Sequence, residues 1–285
     1  MGVKEHNHFI PQMYLRHFAH SRPNSDADWI FMYDKETDCT KEIGIEDAAA
    51  KKRLYTDKTQ TNPAIWEDEL AKHEAVISPI IRRLIDTCRQ SLIRNGATVL
   101  DSTMKQKLAG YLYLQMIRVP SSMSVIESYS EQVIPGLLDK VKREIEPIIP
   151  ENKKQELSAF QMSAEDKRSI RLSHIANSPE SQMIVNALCS KHWTLYRSDK
   201  RFITSDRPVV IADTQWNVHQ ILADGIQPPY IVICFPLSPY LLLLVSGSKI
   251  YSRFADQLFI LDQHDDFVDK VNHLQYENCE RFLYG

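Results

Sequence analysis

The chain has 285 residues, 43% hydrophobic and 25% charged, with a net charge of −3; this length buries a full core as one large or two small domains without metal or disulfide staples, and the composition excludes disordered and collagen-like classes. Five dispersed cysteines, Cys39, Cys88, Cys189, Cys234 and Cys279, form no C-x-x-C pair, so zinc-ribbon and thioredoxin-type sites are not expected and reduced thiols are. Met1 is followed by Lys4, Glu5 and a polar motif with no room for a signal-peptide core, and the longest apolar run, 240–245, is too short to cross a bilayer; a cytoplasmic protein with no membrane contact is expected.

In chain order, the opening His6-Asn7-His8-Phe9-Ile10-Pro11-Gln12-Met13-Tyr14-Leu15-Arg16-His17-Phe18 crowds polar and aromatic groups into a segment that must also fold. The run 29–33 reads as a strand entering a polar turn. From Pro63, Trp66, Leu70, His73, Ile77, Ile80, Ile81 and Leu84 fall at three- and four-residue steps that place them on one helical face. A second helix is predicted over 102–118, capped by Ser102 or Thr103 and limited by Pro120. Further helices are expected over 122–146 and 164–189, with Pro135 and Pro179 bending or breaking them, and 147–156 reads as a loop. Strands are expected at 194–196, 202–204, 209–211, 231–235 and 241–245, and a final helix over 265–284 closes the chain. The order is a small N-terminal α/β segment, a helical middle and a β-rich C-terminal region closed by a helix, an α+β class. One domain over 1–285 is expected, with a possible division into 1–146 and 157–285. Neither G-x-G-x-x-G nor G-x-x-x-x-G-K-[ST] occurs, so nucleotide-cradling loops are not expected.

Candidate chemistry gathers at three places. In an extended segment His6 and His8 point the same way and could hold a metal, grip a phosphate or relay a proton, while Arg16 offers a planar fork for a carboxylate or phosphate. Tyr14 and Phe18 are i,i+4 neighbours, with core anchoring the better reading for Phe18. Gln115 and Arg118 lie three apart on an otherwise apolar helix, so if buried they need partners, with Glu67, Glu74 or Asp206 the natural ones. Thr204-Ser205-Asp206 precedes Pro208 at a strand end, which either displays the acid or folds it into an Asx-type turn. Two charge clusters complete the set. Lys191, Arg197, Lys200, Arg201 and Arg207 outnumber Asp199 and Asp206 around that motif, reading as a solvated face or a phosphate footprint. Asp262, His264, Asp265, Asp266 and Asp269 resemble metal ligands but stand where a helix begins, and capping is the favoured reading.

The motifs His8-Phe9-Ile10-Pro11-Gln12-x-Tyr14-Leu15 and Thr204-Ser205-Asp206-x-Pro208, with the 67–74 helix, Gln115 with Arg118, and Phe235-Pro236-Leu237-Ser238-Pro239, resemble a large bacterial family catalogued as domain of unknown function 4238. The resemblance covers nearly the whole chain. It implies a bacterial protein of mobile or antiviral defence loci, acting against foreign nucleic acid. The expected activity is a nucleic-acid hydrolase, glycosylase-like, that excises a base from phage DNA, with DNA as partner, no cofactor and no obligate protein partner. Asp206 would stabilise the sugar and activate water, with His8 and Arg118 assisting; His6, Gln12, Tyr14, Arg16, Glu74, Gln115, Thr204 and Ser205 would bind substrate, and an aromatic such as Tyr14 would stack the extruded base. The alternatives are a metal-dependent nuclease using His6, His8, Glu74 and Asp206, and a non-enzymatic ligand- or partner-sensing module.

Overall fold

A computed structural model describes residues 6–23, 26–177, 180–219, 228–247, 255–262 and 266–285. Among these residues are eight α-helices and twelve strands in an α+β arrangement, with helices filling the middle. The N-terminal part holds β1 (His6–His8), α1 (Gln12–Leu15), β2 (His20–Ser21), β3 (Asp28–Asp34), β4 (Cys39–Gly44) and β5 (Ala50–Lys52). The helical middle holds α2 (Ile65–Arg89), α3 (Ser102–Ile117), α4 (Pro120–Ile145), α5 (Glu151–Ala159), α6 (Ala164–Asn177) and α7 (Glu180–Cys189). Then come β6 (His192–Arg197), β7 (Thr204–Ser205), β8 (Val210–Ala212), β9 (Val232–Ser238), β10 (Leu241–Ser246), β11 (Gln257–Ile260), α8 (Phe267–Asn278) and β12 (Phe282–Tyr284).

The central sheet runs β11-β6-β10-β9-β8, antiparallel except for the parallel β11–β6 pair. Its inner strands are continuously apolar because both faces are covered. Leu241, Leu243 and Val245 join the main core with α2 and α3, while Leu242 and Leu244 meet Val268, Val271 and Leu274 of α8 on the other face. A second sheet, β2-β3-β12-β7 with β4 on the outer side of β3, joins the first and last segments of the chain. The third is the two-stranded β1–β5 ladder that positions the opening motif.

Several expectations are corrected. Asp101, not Ser102 or Thr103, caps α3, its carboxylate accepting from the Met104 N–H at 2.8 Å. Pro120 opens α4 at its first turn, where no amide hydrogen is needed, and Pro135 lies inside that helix without ending it. The expected loop 147–156 is a 3₁₀ turn followed by α5, whose helix-forming residues gain i,i+3 pairs between Glu151 and Lys154 and between Lys153 and Glu156. The 164–189 stretch divides into α6 and α7, with Pro179 outside the described residues. The closing helix stops at Asn278. Phe282, Leu283 and Tyr284 then alternate into a strand between β3 and β7, burying Leu283 and Tyr284.

Candidate functional site

A cavity of about 250 Å³ opens between the N-terminal motif and α2, lined by His8, Gln12, Arg16, Glu67, Glu74 and Arg118, with Met13, Tyr55, Leu70 and Ala71 supplying its apolar wall. Its geometry begins with the β1 pleat. Alternation turns Asn7 inward, where it is 2% exposed, and His8 to the opposite face. Asn7 donates through Nδ2 to Glu67 Oε2 at 2.9 Å and accepts the Tyr55 N–H at 3.3 Å, tying β1 to α2.

The His8 ring is fixed at both nitrogens. Nδ1 donates to the Ala48 carbonyl at 3.0 Å, which leaves Nε2 to accept from the Gln12 side-chain amide at 2.8 Å. Arg16 completes the relay, donating through Nη2 to Gln12 Oε1 and through Nε to Asp28, each at 3.1 Å. Burial pushes the His8 pKa below its ordinary 6.5, against the opposing pull of Ala48 O and Glu74. His8 is therefore a neutral imidazole that gains a proton at Nε2 only by releasing Gln12.

Arg118, 2% exposed, is fully engaged. Nη1 donates to Glu74 Oε1 at 2.8 Å, Nη2 to the His8 carbonyl at 2.7 Å, and Nε to the Tyr55 hydroxyl at 3.3 Å. Burial acts against the charge, but Tyr55 and Glu74 outweigh it and raise the pKa above the usual arginine value. The expected Arg–Glu bridge between helices is thus present, and it holds Arg118 in place through one bond at each of its three nitrogens. Glu67, Leu70, Ala71 and Glu74 follow i, i+3, i+4, i+7 spacing, one stripe of α2 facing the cavity.

The Thr204-Ser205-Asp206 segment is elsewhere, and the catalytic role expected of Asp206 has no geometric support. Its carboxylate accepts the backbone N–H groups of Glu280, Arg281 and Phe282 at 2.8, 2.7 and 2.8 Å, pinning the entry of β12. Burial raises its pKa, against those three amides and Arg207. Ser205 Oγ donates to Gln275 of α8 at 2.7 Å, and Thr204 Oγ1 donates to the Tyr14 hydroxyl at 2.7 Å, since that hydroxyl donates to the Pro236 carbonyl at 2.6 Å. All three residues of this motif are buried and spent on staples between distant segments.

Four other expected site residues do not line the cavity in the expected way. Tyr14 is fully buried, its ring stacked 5.0 Å from that of Phe235, so it cannot receive an extruded base. Gln115 lies behind the motif, donating to the Phe9 carbonyl at 3.0 Å. His6 is exposed opposite Lys52 on β5 and is not among the lining residues. Arg16 does reach the cavity rim, but its fork is already shared between Asp28 and Gln12. Among the described residues no three His, Cys, Asp or Glu side chains converge as metal ligands.

Three of the five basic residues around the Thr204-Ser205-Asp206 motif are held by protein partners. Lys191 reaches the Pro228 carbonyl, Arg197 the Cys88 carbonyl, and Lys200 the Asp269 carboxylate. In the acidic run, Asp266 precedes α8 but pairs with Lys270 in place of the backbone, and His264 and Asp265 lie outside the described residues. Asn7 is central although the sequence marks it only by alternation with its flanking histidines, and Glu67, a candidate partner for Arg118, instead accepts from Asn7 and shares the cavity face of α2 with Glu74.

Comparison with known families places the chain, over residues 6–285, in the family described as protein of unknown function (DUF4238), and it belongs to that family. No curated protein and no solved structure matches it.

Proposed function

We propose that this protein is a nucleic-acid-processing hydrolase that cleaves an N-glycosidic bond, excising a base from foreign DNA, at the cavity between the opening motif and α2. The observation that carries the reading is the carboxylate pair Glu67 and Glu74 on one stripe of α2, facing a nucleoside-sized cavity whose other walls are held rigid. Rigid placement of such groups before substrate arrives is what lowers a barrier.

In this reading Glu74, held in place by Arg118, takes a proton from water as the water oxygen bonds to the anomeric carbon. The carbon–nitrogen bond breaks, its electron pair stays on the base nitrogen, and Glu67 supplies the proton that neutralises the departing base. Seven residues of helix place the two Cα atoms about 10 Å apart along the axis, a backbone spacing that leaves room for a water between the side chains, as an inverting mechanism needs. The His8–Gln12–Arg16 relay shapes the opposite wall. Asp206 takes no part in this step.

Mass spectrometry of small products from unmodified and phage-modified DNA, with chelator present, tests the proposal. Free base is expected from the wild type, falling by roughly 10²- to 10⁴-fold in Glu74→Gln and in Glu67→Gln. Absence of free base defeats the proposal. Strand cleavage that needs a divalent ion would favour a nuclease, and tight binding without turnover a sensing module.

A further inference from the structure

We infer that a basic groove beside the cavity is a binding site for the phosphodiester backbone of a single nucleic-acid strand, delivering one nucleotide to the cavity while its neighbours lie along the groove. The inference rests on the reading of the cavity above and names how its substrate is held.

The groove has a volume of about 210 Å³ and lies between the 51–54 segment, α4 and α6. Its lining holds five cations, Lys51, Lys52, Arg53, Arg168 and Arg171, against one carboxylate, Glu127. In a chain of net charge −3 this concentration is not the average surface. The groove and the cavity draw on neighbouring residues of the same two segments. Residues 51–54 line the groove and Tyr55 lines the cavity; Arg118 lines the cavity and Pro120 the groove. The β1–β5 ladder strengthens the link, since His6 pairs with Lys52 and His8 with Ala50, so the strand that carries the cavity's histidine is bonded to the strand that carries the lysines.

The five cations divide into builders and binders. Arg168 donates to the carbonyls of Arg53, Leu54 and Thr56 at 2.8–3.1 Å, clamping that segment against α6, and Arg171 pairs with Glu127 at 2.6 Å. Lys51 and Lys52 are exposed on β5, and among the described residues neither forms an ion pair. Arg53 follows with φ of +52°, a left-handed conformation that disfavours a side-chain-bearing residue. A fixed floor with exposed ammonium groups along one rim suits a chain of phosphates, each met by a charge that releases counterions. A single strand suits a cavity that admits one nucleoside, because its base is out of the duplex stack without the cost of unpairing.

Fluorescence anisotropy with labelled single-stranded DNA and RNA 12-mers, over a range of salt, tests the inference on the full chain. Lys51→Glu/Lys52→Glu should weaken binding at least tenfold and reduce the slope of log Kd against log salt by about 1.4, the two phosphate contacts of a single strand; Lys51→Gln/Lys52→Gln should fall between it and the wild type. Lys153→Glu/Lys154→Glu, an equal change of net charge on α5, should stay within twofold. The DNA and RNA arms identify the strand. Wild-type protein that binds neither strand, a groove variant within twofold of wild type while its circular dichroism is native, or equal weakening by the α5 variant would each overturn the inference. Base release is read separately: binding through the groove with no free base defeats the glycosidic reading alone, and free base from a protein whose binding ignores the groove defeats the groove alone.

Discussion

At the scale of single residues, two carboxylates illustrate how one kind of group serves opposite purposes. Glu74 and Asp206 are both held by protein donors, but Glu74 meets Arg118 and faces a cavity while Asp206 is closed in by three backbone amides. Asp206→Asn leaves one side-chain oxygen as acceptor and turns an amino group toward N–H donors, so it should cost about 2–4 kcal/mol of stability, read as a lower urea midpoint. Unchanged stability with lost chemistry would return Asp206 to the list of reacting groups. His17 makes a second prediction. Burial, with Arg82 nearby, pushes its pKa down to about 4, and its Nε2 has no hydrogen-bond partner. A base whose folded pKa lies below its unfolded value destabilises the fold once the unfolded chain takes up the proton. Stability should therefore be full above pH 6.5 and decline as the pH falls from there toward 4, on the order of 1–3 kcal/mol. His17→Gln should flatten that decline in urea titrations at pH 7.5 and 5, and an unchanged slope would assign it to other groups.

Among elements, α2 and α3 carry the site. The first half of α2 packs Trp66 and Leu70 into a cluster with Tyr55, Tyr113 and Ile117, its second half packs Ile77, Ile81 and Leu84 into the main core, and the Glu67–Glu74 stripe lies between those apolar contacts. The second half of α3, from Tyr111 to Ile117, is buried on every side, whereas Ser102, Thr103, Gln106 and Lys107 of its first turns are exposed, so its start depends on a cap more than on amphipathic pattern. Asp101→Ala should cost about 1 kcal/mol by freeing the Met104 amide, a shift measurable in chemical denaturation; no shift would mean that packing alone fixes where α3 starts. The periodicity of α2 and the β-branched runs of β6, β9 and β10 were legible because burial imposes those patterns directly. The break between α6 and α7 falls where Pro179 marks it, but the helix α5 and the strand β12 were less legible: prolines and lysines over 147–156 read as a loop, and β12 is a strand because β3 and β7 offer it unpaired edges from far away in sequence. Local propensity does not contain that information.

Across the whole molecule, the two family motifs do different work. The opening motif builds the cavity on the β1–β5 ladder, and the Thr204-Ser205-Asp206 motif joins the first helix, the last helix and the last strand. Both motifs draw attention in the sequence for the same reason, dense polar groups among apolar runs, so sequence alone could not tell a cavity wall from a staple. Only the pairing of distant segments separates them, and it moves the proposed reacting carboxylate from Asp206 to the α2 pair. The most direct test is therefore the rate of free-base release per folded molecule in Glu74→Gln and Asp206→Asn, measured side by side with chelator present. Loss of release in Glu74→Gln, with near-normal release from the folded fraction of Asp206→Asn, is the result predicted. The reverse pattern would contradict the assignment of the site, and no release from the wild type would contradict the reaction itself.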